Sequence, residues 1–236
     1  VPRIASVDAS EKRLVLEAST LSRWAARLLD PYVEEVFVCD PRENHLLSRN
    51  PGKSDRSDVY NLCRLLRLGE LKEVYQARED HRAVFKAAAQ RYIDHRKQQV
   101  SLKQKIKATY RRWGVVDVEG RRPFSEEGRE EYIDRLPGPE TVEQVRSLYR
   151  MLDVALDTQS EAKSQMLRLG ERYSEIEEFQ EVPGVGPVSA HLFDAFIQTP
   201  FRFSTKQKLW SYCQLGIRSQ TSDGKPLGYE ELDPNG

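Results

Sequence analysis

Three acidic side chains have the types and spacing that a metal-dependent reaction requires. Glu17 ends the apolar run Leu14–Glu17, and Asp55 and Asp58 lie three positions apart at the predicted start of a helix. That spacing puts both aspartates on one helix face. Carboxylates without a cysteine or histidine in the pattern suit a hard cation, Mg²⁺ or Mn²⁺, and two such ions can promote phosphodiester cleavage. For Asp55 taken alone, the alternative is a helix N-cap, where an acid is favourable in any protein.

A glycine-rich turn joins two predicted helices at Val182–Val188. Gly184 and Gly186, on either side of Val185, let the backbone approach a ligand closely, and the amides at the next helix start form an anion site. The pattern resembles the helix-hairpin-helix, which binds DNA phosphates without sequence preference. It lacks the Gly-Lys-Ser/Thr ending of a nucleotide-binding loop, which disfavours a nucleoside triphosphatase. The alternative is a tight helix corner with no ligand.

A polar segment near the end of the sequence contains candidate nucleophiles. The sequence predicts a flexible loop over Leu215–Lys225, in which Ser222 is the first candidate and Ser219 the second. Arg218 and Lys225 flank them and could hold a phosphate that a serine attacks. Without that context, the Ser-Asp-Gly sequence at 222–224 is typical of a turn.

The net charge of zero hides a strong imbalance along the chain. Of 236 residues, 37 are Lys or Arg and 37 are Asp or Glu, yet residues 82–112 hold ten bases and one acid, whereas residues 117–181 hold 17 acids and nine bases. A basic block attracts a phosphate backbone whatever the net charge. The alternative is a solvated helix face. The candidates for nucleic-acid binding are Arg91, Arg96, Lys97, Lys103, Lys105, Lys107, Arg111 and Arg112, with Arg202 and Lys206 near the start of a later capped helix.

Regular elements must position these groups, and the first is a strand–helix–strand unit. Leu14–Glu17 and Glu35–Cys39 are short apolar runs rich in β-branched residues, and a helical pattern over Ser22–Leu29 lies between them. Such a unit predicts two parallel strands. After an irregular connection at residues 42–52, a helix is predicted from near Ser54 to Leu68.

Two long helices are predicted in the middle of the chain. Residues 80–113 contain neither proline nor glycine, and residues 140–179 contain one glycine, Gly170. The apolar positions of the first helix form a narrow stripe of Val84, Ala88, Tyr92, Val100, Leu102, Ile106 and Tyr110. A stripe this narrow predicts a partner helix, so we expect an antiparallel coiled coil, formed within one chain or exchanged between protomers.

Composition limits the class of protein. Hydrophobic residues make up 39% of the chain, which is low for a globular domain and favours helices in extended contact. The cysteines are isolated in sequence, which disfavours a disulfide framework and favours a reducing, cytoplasmic compartment. No apolar run is long enough to span a bilayer, so we expect no membrane partner.

Taken together and in this order, the motifs resemble those of the DEDD-type transposases of bacterial insertion sequences. These are relatives of the Piv invertases and include the bridge-RNA-guided recombinases. Leu16–Thr20 and Lys53–Asp58 look like the family's Glu block and its KTDxxDA motif. Val182–Gly186, Arg202–Ser204 and Trp210–Leu215 look like its C-terminal IPGIG, RF and YxGL blocks.

The resemblance implies a helix-rich α+β fold with three regions. These are a partial RNase H/RuvC-like catalytic domain at 1–79, a coiled-coil region at 80–178, and an incomplete C-terminal domain at 179–236 with the helix-hairpin-helix and the serine loop. It further implies that Glu17, Asp55 and Asp58 are the second, third and fourth acids of a Mg²⁺ site and that Ser222 attacks DNA to form a covalent intermediate. DNA, a guide RNA and further copies of the chain are the implied partners, in the bacterial cytoplasm and at the nucleoid.

One departure from the family bears on activity. Only 16 residues precede Glu17, so the strand that carries the family's first Asp is expected to be missing, and Asp8 is the only nearby candidate. We therefore expect this chain to be an inactive piece of a longer transposase. Two alternatives stay open: a RuvC-like nuclease that hydrolyses DNA with water, and a non-catalytic coiled-coil protein that binds nucleic acid.

Overall fold

The chain forms a helix-rich α+β structure, as the sequence predicts. The computed structural model describes residues 2–40, 55–77, 79–215, 217–222 and 225–232, with the backbone alone at Asp55 and from residue 217 onward. The chain divides into two compact units, residues 1–78 and residues 79–236. Within the described ranges, no helix combines the length and the apolar composition that crossing a membrane requires.

The first unit contains the predicted strand–helix–strand arrangement. Strands β1 (Arg13–Glu17) and β2 (Glu35–Cys39) pair in parallel. Helix α2 (Ser22–Leu29) and a 3₁₀ turn at Asp30–Tyr32 connect them, and a short helix α1 (Pro2–Ala5) precedes β1. A parallel pair needs such a crossover, so the order of the elements along the chain already specified this pairing.

Helix α3 (Asp55–Leu68) packs on this sheet through its apolar side. Leu62 forms a buried cluster with Cys39 of β2, and Val15 of β1 packs against that cluster. These contacts place α3 over the carboxyl end of β2. The predicted irregular connection at 42–52 lies outside the described residues.

The second unit is built mainly from helices. Those described are α4 (Asp80–Arg112), α5 (Glu126–Ile133), α6 (Pro139–Gly170), α7 (Glu175–Gln180), α8 (Pro187–Ile197) and α9 (Lys206–Tyr212). Helices α4 and α6 pack along each other. The hydroxyl groups of Tyr110 and Tyr149 lie 3.2 Å apart, and Arg91 donates to Gln165 at 3.1 Å. The two helices therefore run antiparallel, since the end of each contacts the start of the other.

The buried face of α4 differs from the predicted stripe near its start. Val84 and Val100 are 52% and 46% exposed, whereas Phe85 and Ala89 are fully buried. The first turns of α4 contact α8 as well as α6. A second neighbour rotates the buried face toward Phe85 and Ala89, and a periodicity argument based on one partner helix misses that rotation.

Helix α6 ends at Gly170, although the pattern predicted one helix through Phe179. A Cβ at position 170 would lie 2.2 Å from Cδ2 of His191 on α8, so only glycine fits this close approach. Both ring nitrogens of His191 are within hydrogen-bond distance of carbonyl oxygens, those of Pro187 at 2.7 Å and Leu167 at 3.2 Å. The chain turns beyond Gly170, and Tyr173 is buried in the cluster that joins α4, α6 and α8.

The chain continues beyond α9 as a hairpin. Strand β3 (Ile217–Ser222) pairs antiparallel with β4 (Lys225–Leu232). Before α9, a 3₁₀ turn at Pro200–Arg202 leads out of α8. The regions predicted as a coiled coil and as a C-terminal domain thus lie in one compact unit.

Candidate metal and nucleic-acid sites

Glu17 lies at the carboxyl end of β1, at the sheet edge where ligand sites of parallel sheets form. Its ladder partner is Cys39, so both side chains are on the same face of the sheet. Burial raises the pKa of the Cys39 thiol, and the negative charges of Glu17 and Asp40 raise it further. Glu17 itself is exposed. Two acids, Glu17 and Asp40, therefore lie close to the end of β2.

Asp58 lies on α3, and its carboxylate is half-buried. Its Oδ1 atom is fully buried and has no hydrogen-bond partner among the described residues. Leu62, one turn later on the same helix face, contacts the cluster around Cys39. Asp58 and Glu17 therefore both border the layer between α3 and the sheet. A buried carboxylate oxygen without a donor is unfavourable unless a cation or a proton is bound.

The third predicted acid, Asp55, is the first residue of α3, and its side chain lies outside the description. Lys53 and Ser54 of the same motif also lie outside it. Among the side chains that are described, no three histidine, cysteine or acidic groups come together as a metal site. The described side chains thus supply Glu17 and Asp58, two of the three predicted ligands.

The glycine-rich turn connects α7 to α8. Gly184 has a φ of +88°, a conformation that residues with a side chain rarely adopt, and Val185 packs into the core of the unit. Gly186 is the N-cap of α8 in extended backbone, and a Cβ there would meet open space within 4 Å. Pro187 follows as the first helical residue. The structure thus assigns different reasons to the glycines: Gly184 is required by the turn, and Gly186 leaves the start of α8 accessible.

The predicted basic helix has two kinds of cation along its exposed side. Arg96, Lys97, Lys105 and Arg112 are exposed and form no ion pair with any described residue. The others bind within the unit: Lys107 and Arg111 pair with Glu119, Lys103 and Lys107 lie 5.4 and 6.0 Å from the Phe124 ring, and Arg91 binds Gln165. Four of the eight predicted cations of this helix are therefore free to contact phosphates.

Arg82, which was counted in the basic block, is structural. Its guanidinium is within 2.5 Å of both Glu175 and Asp194 and lies 3.6 Å from the centroid of the Tyr173 ring. Arg82 is 13% exposed and Asp194 is 6% exposed. Burial raises the pKa of the Asp194 carboxyl, and the charge of Arg82 offsets part of that shift. This cluster ties the start of α4 to α7 and α8.

The serine candidates lie on a paired strand. Ser219 is opposite Glu230, and Ser222, the last residue of β3, is opposite Lys225. The segment predicted as a flexible loop is therefore largely a hairpin strand, with an irregularity in the ladder between Ser219 and Thr221. Ser222 belongs to the second unit, and the acids belong to the first.

Arg202 and Lys206 lie on either side of the start of α9. Thr205 caps this helix, as predicted, by accepting a hydrogen bond from the Lys208 amide at 3.3 Å. The Arg202 guanidinium is 4.5 Å from the ring centroids of both Phe203 and Tyr212. Lys206 Nζ is 5.5 Å from the Trp210 ring centroid.

Sequence reasoning missed the aromatic residues of this region. Phe201 is 94% exposed and Trp210 is 46% exposed. Aromatic residues next to lysine and arginine were visible in the sequence, but their exposure was not, because most phenylalanine and tryptophan side chains pack in a core.

No protein-family model matches the chain, and no curated protein sequence matches it significantly.

Proposed function

We propose that this chain is part of a DNA transposase or recombinase that cleaves and exchanges the strands of an insertion sequence under the guidance of an RNA. The observation that carries the proposal is the carboxylate of Asp58. Its buried Oδ1 lacks a donor, and it borders the same layer as Glu17 at the end of β1. A site of this kind favours oxygen-bound Mg²⁺ or Mn²⁺.

The acids would bind the metal and leave the site accessible to DNA. Glu17, Asp55 and Asp58 are the proposed ligands of Mg²⁺ or Mn²⁺, which when bound supplies positive charge for a DNA phosphate. Asp58 is held by its helix against the sheet, whereas Glu17 is exposed and open to DNA. Fixed and accessible carboxylates are the combination that positions a phosphodiester for attack.

The serine would break the DNA strand. The Ser222 hydroxyl is the proposed nucleophile, with Ser219 as second choice. Its oxygen loses its proton and forms a bond to phosphorus, the bond from phosphorus to one deoxyribose oxygen breaks, and that oxygen takes up a proton. The strand is then held as a phosphoserine ester and can be passed to a new hydroxyl group, which is what strand exchange requires.

The second unit would bind nucleic acid. Exposed cations of α4 and the open start of α8 at Gly186 are suited to phosphates of DNA and of a guide RNA. Further copies of the chain are also proposed partners. Met151 and Val154, which are 54% and 63% exposed on α6, support this because they lie together on one side of that helix.

Metal binding provides the first test. We expect Asp58→Asn to weaken Mn²⁺ binding, followed by electron paramagnetic resonance, by about tenfold or more, because a ligand that carries charge is lost. The matched control is Glu70→Gln, which removes an exposed carboxylate just beyond the other end of α3. If Asp58→Asn and Glu70→Gln bind Mn²⁺ equally, the metal site is wrong.

A covalent adduct provides the second test. The transposase of which this chain is the proposed part is incubated with supercoiled DNA, Mg²⁺ and the RNA transcribed from its genomic flanks, and adducts are sought after denaturation. We expect an adduct that Ser222→Ala abolishes and Ser219→Ala retains. Cleavage without any adduct would instead identify the water-dependent nuclease.

A non-catalytic nucleic-acid-binding protein is the second candidate. It is favoured by the exposed cations of α4, which suit a phosphate backbone whether or not a metal site exists. In that case Asp58 would only stabilise the start of its helix and would bind no metal. Unchanged Mn²⁺ binding in Asp58→Asn, together with retained DNA binding, would select this candidate.

A further inference from the structure

A short segment of the second unit exposes aromatic rings beside cations. It comprises the 3₁₀ turn Pro200–Arg202 and helix α9, and we call it the aromatic–basic segment. Phe201 is 94% exposed and Trp210 is 46% exposed. Exposing an apolar ring to water is unfavourable, so a ring as exposed as Phe201 suits a partner that covers its face.

The charge of the surrounding sequence selects the kind of partner. Between Asp194 and Asp223 the chain contains four basic residues and no acidic one. Two of these bases, Lys206 and Lys208, are exposed on α9, the helix that carries Trp210. A polyanion with flat apolar faces is complementary to this surface, and a nucleic acid with unstacked bases has both properties.

Neighbouring groups hold the segment in place. The Arg202 guanidinium lies over the rings of Phe203 and Tyr212, and those two rings are 5.3 Å apart. Tyr212 hydroxyl donates to the Phe196 carbonyl of α8 at 3.5 Å. Arg202, Phe203 and Tyr212 thus anchor the segment, whereas Phe201 extends into solvent. Trp210 has Lys206 Nζ 5.5 Å from its ring centroid, so a cation accompanies this ring.

We propose that Phe201 and Trp210 stack on unpaired bases of a single-stranded nucleic acid, while Lys206 and Lys208 contact its phosphates. Bases within a duplex already stack on their neighbours and have no free face, so the segment is specific for unpaired nucleotides. The inference rests on the proposed function only in taking nucleic acid as the ligand. It names the form of nucleic acid that this surface binds.

The test compares two strands that differ only in their bases. Fluorescence anisotropy measures binding of labelled oligothymidine and of an abasic strand of the same length, which keeps every phosphate. Loss of one stacked base lowers affinity by roughly 5- to 150-fold. We expect Phe201→Ala to weaken oligothymidine binding by that factor and to change abasic-strand binding by no more than about twofold.

Matched variants separate stacking from other effects. Phe201→Leu keeps the apolar character but loses the ring and should resemble Phe201→Ala, whereas Phe201→Trp keeps a ring and should bind like the original protein. Trp210→Leu tests the second ring. The control is Tyr60→Leu on α3, which removes a ring that is 68% exposed in the other unit. Because Phe201 is almost fully exposed, its substitution leaves the fold intact.

The outcomes distinguish this inference from the proposed function. Equal weakening of both strands by Phe201→Ala, or no weakening of either, overturns the stacking inference and leaves the segment to a protein partner. Neither result affects the Mn²⁺ test or the Ser222 adduct. Conversely, selective loss of oligothymidine binding supports stacking even if no adduct ever forms.

Discussion

The two ends of helix α4 carry the same kind of side chain and use it differently. At the start, Arg82 is buried against Asp194 and Glu175. In the second half, Lys97, Lys105 and Arg112 are exposed and pair with no described acid. The start of α4 is covered by α8, which supplies a buried acid, whereas Lys97, Lys105 and Arg112 lie on a side of the second half that no described element covers. A run of basic residues can therefore contain both a structural cation and a binding surface, and burial tells them apart.

The buried end of α4 should give the largest effect on stability. We expect Arg82→Met to lower the free energy of unfolding by about 3 kcal/mol or more, because it leaves the buried carboxylate of Asp194 without its cation. Urea denaturation followed by circular dichroism measures the change.

An exposed ion pair is the control for this prediction. Arg146 and Glu130 pair at 3.1 Å with both side chains at least half exposed, so Arg146→Met should cost below about 1 kcal/mol. If both arginine variants lose the same stability, the contrast between buried and exposed cations is wrong.

The two glycines of the turn should also differ, one affecting stability and the other DNA binding, with effects of intermediate size. Gly184→Ala should lower the free energy of unfolding by about 1–2 kcal/mol, because alanine is strained at a φ of +88°. Gly186→Val should lower the free energy of unfolding by no more than about 1 kcal/mol, because position 186 has ordinary backbone and open space but valine is a poorer N-cap residue than glycine. It should weaken duplex DNA binding by covering the start of α8. Equal DNA affinity of the original protein and Gly186→Val would remove this turn from the binding surface.

The exposed cations should have almost no effect on stability and a clear one on binding. Replacing Lys97, Lys105 and Arg112 with glutamine should change the free energy of unfolding by no more than about 0.5 kcal/mol. It should reduce the salt dependence of DNA binding by roughly one counterion per lost contact. The control, with the same loss of charge, replaces the exposed bases at the end of α6 and just beyond it, Lys163, Arg168 and Arg172. A slope that falls equally in both triple variants would mean that net charge, not this surface, binds DNA.

The smallest expected effect is a pair of opposite pKa shifts at two glutamates, Glu73 and Glu119. Burial and the nearby charge of Glu35 raise the pKa of Glu73, whereas hydrogen bonds from Arg111 and Lys107 lower the pKa of Glu119. Carboxyl titration by nuclear magnetic resonance should place Glu73 above and Glu119 below the ordinary glutamate value. The folded state then binds the Glu73 proton more tightly, so this group contributes less stability as pH rises through its raised pKa. Glu73→Gln should remove that dependence, and the opposite order of the two pKa values would contradict the role given to burial.

The elements that the sequence predicted well depend on local signals. Both strands of the first unit, the crossover α2, helix α3 and the bounds of α4 follow from apolar runs, helix formers and breakers next to one another in the chain. The cap of α9 at Thr205 is equally local. The roles assigned to the metal ligands and to the serine rest on a family resemblance, and these roles stay predictions.

The elements that the sequence predicted badly depend on distant neighbours. Only glycine fits at position 170, where α6 ends, because His191, 21 positions later, packs against it. Phe85 is buried in place of Val84 because α8 contacts the start of α4. The serine segment is a strand because β4 pairs with it, and this partner begins only three positions after Ser222. His191 and α8, in contrast, lie outside the window that a periodicity argument uses.

The sequence by itself determined helices α2 and α3, the bounds of α4, where the parallel strands lie, and that one helix is strongly basic. Tertiary structure decided that Arg82 is buried, that Arg96, Lys97, Lys105 and Arg112 are exposed, and that Phe201 extends into solvent. The physical reason is that backbone preferences and hydrophobic periods act between near neighbours, whereas burial of a charge or a ring depends on which distant helix packs over it.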